Sequence, residues 1–186
     1  MNITYPSIAM IACFTFITLY RFMSEEKLRK GVRSAFENFM DPKVVHEILK
    51  EPEDIKLGGE EREVTVYFSD IEKFSSISEK LQPAELIELL NEYLSEMTDQ
   101  ILDHGGFLDK YIGDAIVAAF GAPLEQQDHA VKACLATIDN QQKLRELNVK
   151  FKEEGRMQIK ARIGLNSGRV LAGNVGSSNR LAYTVI

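Results

Sequence analysis

A chain of 186 residues has room for one domain and an appendage, and 45% hydrophobic with 27% charged residues is the make-up of a globular core. The net charge of −6 argues against a nucleic-acid binder, which needs basic surface to displace phosphate counterions; small nucleotides, which bring their own metal, are not excluded. The two cysteines, Cys13 and Cys134, lie far apart in unlike contexts, so neither a disulfide framework nor a metal cluster is implied.

From Asn2 to Tyr20 there is no charged residue, and Ile8, Met10, Ile11, Phe14, Phe16, Ile17 and Leu19 make the run strongly apolar. Roughly 18 residues at about 1.5 Å each reach some 27 Å, enough for the hydrocarbon layer, so residues 1–20 are predicted to form a transmembrane helix. A buried core helix is the alternative. Arg21, Lys27, Arg29, Lys30 and Arg33 follow at once, which puts what comes next on the cytoplasmic side of a cell (inner) membrane. Residues 21–60 read as a helical linker. Ser24 caps a helix to Met40 with Leu28, Val32, Ala35, Phe36 and Phe39 at helical spacing, and Asp41-Pro42 opens a second, shorter one. That apolar stripe either pairs with a copy of itself or packs on its own domain. Pro52 to Gly59 is a polar connector, and a domain of residues 61–186 follows it.

Within that domain the pattern alternates. A strand is expected at about 63–69 and a helix from Pro83 to His104, stopped by Gly105-Gly106. Two short strands follow at Phe107–Ile112 and Ala115–Phe120, joined by a Gly113-Asp114 hairpin turn. A long helix is expected from about Leu124 to Phe151, carrying Val131, Ala133, Leu135, Ile138, Leu144 and Leu147, then strands at about 158–166, 170–174 and 181–186. The order β-α-β-β-α-β belongs to the ferredoxin-like α+β class, helices on one face of an antiparallel sheet.

Two aspartates, Asp70 and Asp114, come at the ends of apolar strand-like segments. In this topology the first strand lies beside the hairpin, so both carboxylates reach one edge of the sheet. Carboxylates and a backbone carbonyl, that of Ile71, are hard oxygen donors of the kind that hold Mg²⁺ alongside phosphate oxygens. The loop after Asp70, with Phe74 and Ser75, precedes the Pro83 helix, and its backbone N–H groups are candidates to face a triphosphate. There is no Walker-type phosphate loop. His46, His104 and His129 show no ligand spacing and read as surface or helix-end residues, and no nucleophile set is evident.

Phe68-Ser69-Asp70-Ile71 with Phe74, Gly105-Gly106-Phe107-Leu108-Asp109-Lys110-Tyr111-Ile112-Gly113-Asp114-Ala115, Gly164-Leu165-Asn166-Ser167-Gly168-Arg169-Val170, Gly173-Asn174-Val175-Gly176 and Tyr183-Thr184-Val185 together closely resemble the class III adenylyl/guanylyl cyclase catalytic domain, as found in bacterial membrane-anchored cyclases. The resemblance implies that Asp70, Asp114 and the Ile71 carbonyl hold two Mg²⁺ or Mn²⁺ ions for attack of the ribose 3′-hydroxyl on the α-phosphate. It implies that Lys110 and Thr184 read the base. Lysine donates to adenine N1 and a threonine hydroxyl accepts from the 6-amino group, whereas guanylyl cyclases carry Glu and Cys there; ATP is the expected substrate. It also implies a head-to-tail dimer, the metal aspartates of one chain facing the base pocket of another. Lys73 stands where the family usually has Gly. The family continues beyond the position of Ile186 into a helix bearing an Asn and an Arg used in catalysis. The 186 residues alone are therefore expected to be inactive, or to serve as a non-catalytic nucleotide-binding or dimerisation partner of a full-length cyclase.

Overall fold

The computed structural model describes residue 16 and residues 18–21, 58–177 and 180–186. The chain divides into two compact units, Met1–Val45 and His46–Ile186, and the architecture below is that of the second. The expected membrane span, apart from residue 16 and residues 18–20, and the two expected linker helices lie outside the described residues. Among the described residues no helix is long and apolar enough to cross a membrane.

The second unit runs β1 (Gly58–Ile71), α1 (Phe74–Ser78), α2 (Pro83–Asp103), β2 (Phe107–Ile112), β3 (Ala115–Phe120), α3 (His129–Glu153), β4 (Ala161–Ser177) and β5 (Arg180–Val185). The strands form one sheet in the order β2-β3-β1-β4-β5, every neighbouring pair antiparallel. This is the expected ferredoxin-like α+β arrangement, with β5 added at the edge.

Alternation along β1 assigns its two faces. Tyr67 and Ile71 pack with Leu89, Tyr93, Met97 and Ile101 of α2 and with Leu144, Leu147 and Phe151 of α3 to make the main core. On the opposite face Val64, Ala122 and Ala172 form a smaller cluster with Val66, Val170, Tyr183 and Val185. Helix α2 starts where Pro83 needs no hydrogen bond, and Glu85 accepts from the Gln82 N–H at 2.9 Å in a capping box. It ends at Gly105, whose φ of +82° suits glycine.

Four elements differ from expectation, the first being α1, a short helix where a loop was expected. β1 begins at Gly58 instead of 63, because the Gly58-Gly59 pair is strand and not connector. A Cβ on Gly59 would sit 2.7 Å from the Ala172 carbonyl, and one on Gly173 2.2 Å from the Gly58 carbonyl, so only glycines let β1 and β4 run together there. The two strands expected at 158–166 and 170–174 are one, β4, paired with β1 all the way from Ile71↔Ala161 to Gly58↔Asn174. Helix α3 begins at His129 and not Leu124, since Gln126 is used to donate to the Gly105 carbonyl at 2.8 Å. On that helix Ala133, Leu144 and Leu147 are buried as their spacing suggests, whereas Val131, Leu135 and Ile138 face outward.

Candidate active site

The first cluster forms where β1 ends beside the β2–β3 turn. Gly113 adopts φ +66°, which allows the tight reversal that delivers Asp114. β1 and β3 are in register from Thr65↔Phe120 to Ser69↔Ile116, so Asp114 comes level with the end of β1. Its Oδ2 accepts from the Ile71 N–H at 2.8 Å. Asp114 thus reaches the end of β1 one residue past Asp70. Ile71 itself is buried, its side chain in the main core.

Asp70 has a partner that sequence reasoning missed. Arg162 is its cross-strand neighbour on β4, and the guanidinium donates to both carboxylate oxygens, Nε to Oδ1 at 2.9 Å and Nη2 to Oδ2 at 2.8 Å. Asp70 raises the Arg162 pKa further, chiefly through those hydrogen bonds, with Glu72 and Asp114 contributing charge. The signal was the sign of the residue at a register position. Reading it required knowing the β1–β4 pairing.

Beneath this edge lies a layer of buried phenols. Asn140 of α3 donates to Tyr67 Oη at 2.9 Å, and burial pushes the Tyr67 phenol up to about 12 despite that hydrogen bond. Burial raises Tyr93 as well, and the charges of Tyr67, Asp114 and Asp70 add to it. Both phenols are neutral at ordinary pH, so the carboxylate pair rests on an uncharged floor.

The segment after Asp70 runs directly into α1. Lys73 is in the left-handed region (φ 59°, ψ 34°), which explains physically why glycine suits this position. The partly buried Phe74 side chain packs against the main core. Ser75 is exposed, while its carbonyl accepts from Ser78 Oγ at 2.9 Å and from the Glu79 N–H at 3.2 Å.

The second cluster forms where the outer strands of the sheet approach each other. β2 and β5 are at opposite edges, yet the twisted sheet curls until the Phe107 and Tyr183 rings meet edge to face at 5.5 Å. Lys110 Nζ then donates to Thr184 Oγ1 at 3.1 Å, bringing the expected base-reading pair together. Asp109, not among the expected site residues, accepts from Thr184 Oγ1 at 2.7 Å and lies 3.4 Å from Lys110 Nζ, its side chain only 3% exposed. Of the histidines, His104 caps α2 with Nε2 2.7 Å from Asp139 Oδ2, and His129 opens α3 with Nδ1 2.7 Å from Thr65 Oγ1. Both are helix-end residues, as read from sequence.

A ferredoxin-like sheet with paired carboxylates at one strand end and a lysine–threonine pair where its edges meet defines a class of nucleotide-handling domain. Residues 59–185 match the family described as the adenylate and guanylate cyclase catalytic domain, and the chain belongs to that family, the class III cyclases. It is 36% identical over 170 residues to an adenylate cyclase of Anabaena cylindrica, covering 88% of this chain and 33% of that protein. Adenylate cyclase 1 of Rhizobium meliloti (strain 1021) is 31% identical over 125 residues, covering 67% and 19%. The chain thus spans a third or less of the length of these curated relatives. Among solved structures, the guanylyl cyclase Cya2 is similar at 41% identity and a TM-score of 0.67, covering 70% of this chain and 66% of that one. The adenylyl cyclase CyaB from P. aeruginosa is similar at 35% identity and the same TM-score, covering 70% and 68%.

Proposed function

We propose that this chain carries the catalytic domain of an adenylyl cyclase that converts ATP to cyclic AMP and pyrophosphate. The observation that carries the reading is the 2.8 Å contact of Asp114 with the Ile71 N–H, which brings both strand-end aspartates to one edge in a chain of this family. Two carboxylates and the Ile71 carbonyl are a donor set of hard oxygens, and they fit Mg²⁺ or Mn²⁺. Two such ions, when bound, lower the pKa of the ribose 3′-hydroxyl and neutralise the triphosphate. The 3′-hydroxyl would give its proton to solvent as its oxygen bonds to the α-phosphorus, while the bond from that phosphorus to the α–β bridging oxygen breaks and pyrophosphate leaves with the electron pair.

The chain's own groups set up that step. Asp70 must give up Arg162 to take a cation, and the freed guanidinium, whose planar fork suits phosphate as well as carboxylate, is then at hand for the triphosphate. Backbone N–H groups of Phe74 and Ser75 are proposed to face the same phosphates. Lys110 donates to adenine N1 and Thr184 accepts from the 6-amino group.

The metal edge of one chain and the base pocket of another are proposed to pair head to tail. Support comes from exposed apolar residues flanking both sites: Phe68, two residues before Asp70, and Ile112, between Lys110 and Asp114, are 46% and 55% exposed. Surface concavities of about 510 and 520 Å³ elsewhere, around Leu89 and Met157 and around Glu60 and His129, contain none of these site residues. Residues 1–20 are proposed as the membrane anchor, with the domain on the cytoplasmic side, on the strength of their uncharged run and the basic residues after it.

The test is divalent-dependent ATP binding and cyclic AMP formation by the purified chain and its Asp114→Ala variant. The expected result is ATP binding that Mg²⁺ or Mn²⁺ promotes and that GTP displaces poorly. Asp114→Ala loses that divalent dependence by on the order of 10²-fold with its circular dichroism unchanged. Unaltered divalent dependence in the variant refutes the metal role.

A further inference from the structure

Adjacent side chains in a regular strand point to opposite faces, so two consecutive residues do not ordinarily touch one group. In β2 they do. Leu108 pairs with Ala118 and Lys110 with Val117, leaving Asp109 as the extra residue of a β-bulge. The bulge re-aims the chain so that both Asp109 and Lys110 reach the hydroxyl of Thr184, at 2.7 and 3.1 Å.

That arrangement decides where the threonine proton goes. A hydroxyl has one proton and two acceptor positions; a carboxylate only accepts and an ammonium only donates. The Thr184 proton is therefore committed to Asp109, and Lys110 occupies one lone pair. What Thr184 has left for a ligand is a second lone pair and no proton. The commitment is firm because Thr184 is 7% exposed and the Asp109 side chain 3%, so water does not offer the proton an equal alternative. A hydroxyl without such an anchor rotates and serves an amino or a carbonyl group alike. One held this way is an acceptor only: it satisfies a 6-amino purine and leaves a 6-oxo purine with two acceptors face to face.

We infer that Asp109 is a positioning residue that sets the purine preference of this domain by fixing the Thr184 proton, so that the pocket takes 6-amino purine nucleotides and turns away 6-oxo ones. The inference rests on the reading above that Lys110 and Thr184 face the base. Asp109 is assigned no contact with the nucleotide and acts through Thr184.

The experiment is equilibrium binding of three nucleoside triphosphates to the full chain and to Asp109→Ala, in Mg²⁺: ATP, inosine triphosphate with its 6-oxo group, and purine riboside triphosphate with nothing at position 6. The wild type is expected to prefer ATP over inosine triphosphate. In the variant that preference falls about tenfold, the worth of one hydrogen bond, while affinity for purine riboside triphosphate stays within about twofold. A general loosening of the pocket would instead weaken all three by the same factor, and that result, or an unchanged ratio, overturns the inference. Should Asp109→Ala not fold, Asp109→Asn carries the same ratio test, with a drop of about threefold, since a carboxamide accepts more weakly and can also donate. A wild-type chain that prefers inosine triphosphate, or shows no preference, overturns the inference by removing its basis, the assignment of Lys110 and Thr184 to the base. A wild type that prefers ATP beside variants that keep the ratio sinks the role of Asp109 alone.

Discussion

The proposed metal edge and the proposed base pocket are both built from an aspartate, a cation and a strand end, and they are held in opposite ways. Asp70 and Arg162 meet near solvent, their side chains 35% and 68% exposed, where an ion pair is worth little and changes partner readily. Asp109 and Thr184 meet inside, where an unmet polar group is costly. The difference follows from what each must do. On the proposed roles, a carboxylate that takes up an ion needs a partner it can release, and a hydroxyl that tells two bases apart needs one it cannot.

Three substitutions probe that contrast. The largest change in stability is expected from Thr184→Val, which strips the buried Asp109 of its hydroxyl partner. Chemical denaturation should show a loss of about 2 kcal/mol, and a loss below about 0.5 would mean the pocket is wetter than described. Lys73→Gly, in the loop after Asp70, should move stability the other way by about 1 kcal/mol, since it removes a side chain from left-handed backbone. A destabilised variant would show that the Lys73 side chain contributes more than its backbone costs. Arg162→Ala is expected to leave the melting temperature essentially where it is. Its signature is in metal uptake: without nucleotide, Mn²⁺ should bind Asp70 at several-fold lower concentration, because no guanidinium competes for it. Unchanged Mn²⁺ affinity would break the contrast.

The same contrast marks what the amino-acid order reveals. Alternation in β1, the Pro83 and Gly105 ends of α2 and the Gly113-Asp114 reversal are local signals, and they were enough to bring Asp70 and Asp114 to one edge. Lys110 and Thr184 came through the family resemblance, because nothing local says that the two outer strands curl together. Three features stayed hidden because they depend on register or packing. Arg162 needs the β1–β4 alignment to be seen as the partner of Asp70. The bulge at Asp109 leaves no mark in hydropathy, since the apolar and polar residues of β2 fit an ordinary strand equally well. The packing of the Phe74 side chain against the main core depends on which residues lie across from it, and the amino-acid order does not show those.

The bulge ties the two sites into one ruler. Lys110 and Asp114 are four residues apart on the same hairpin, and the extra residue just before them sets the phase of that stretch against Phe107 and Leu108. Deleting Asp109 would therefore do more than remove a side chain. The strand would straighten and either Phe107 would leave the core or the hairpin tip would turn by half a pleat, taking Asp114 away from the Ile71 N–H. Relatives of this domain should thus tolerate exchange of residues along this hairpin far better than any change in its length.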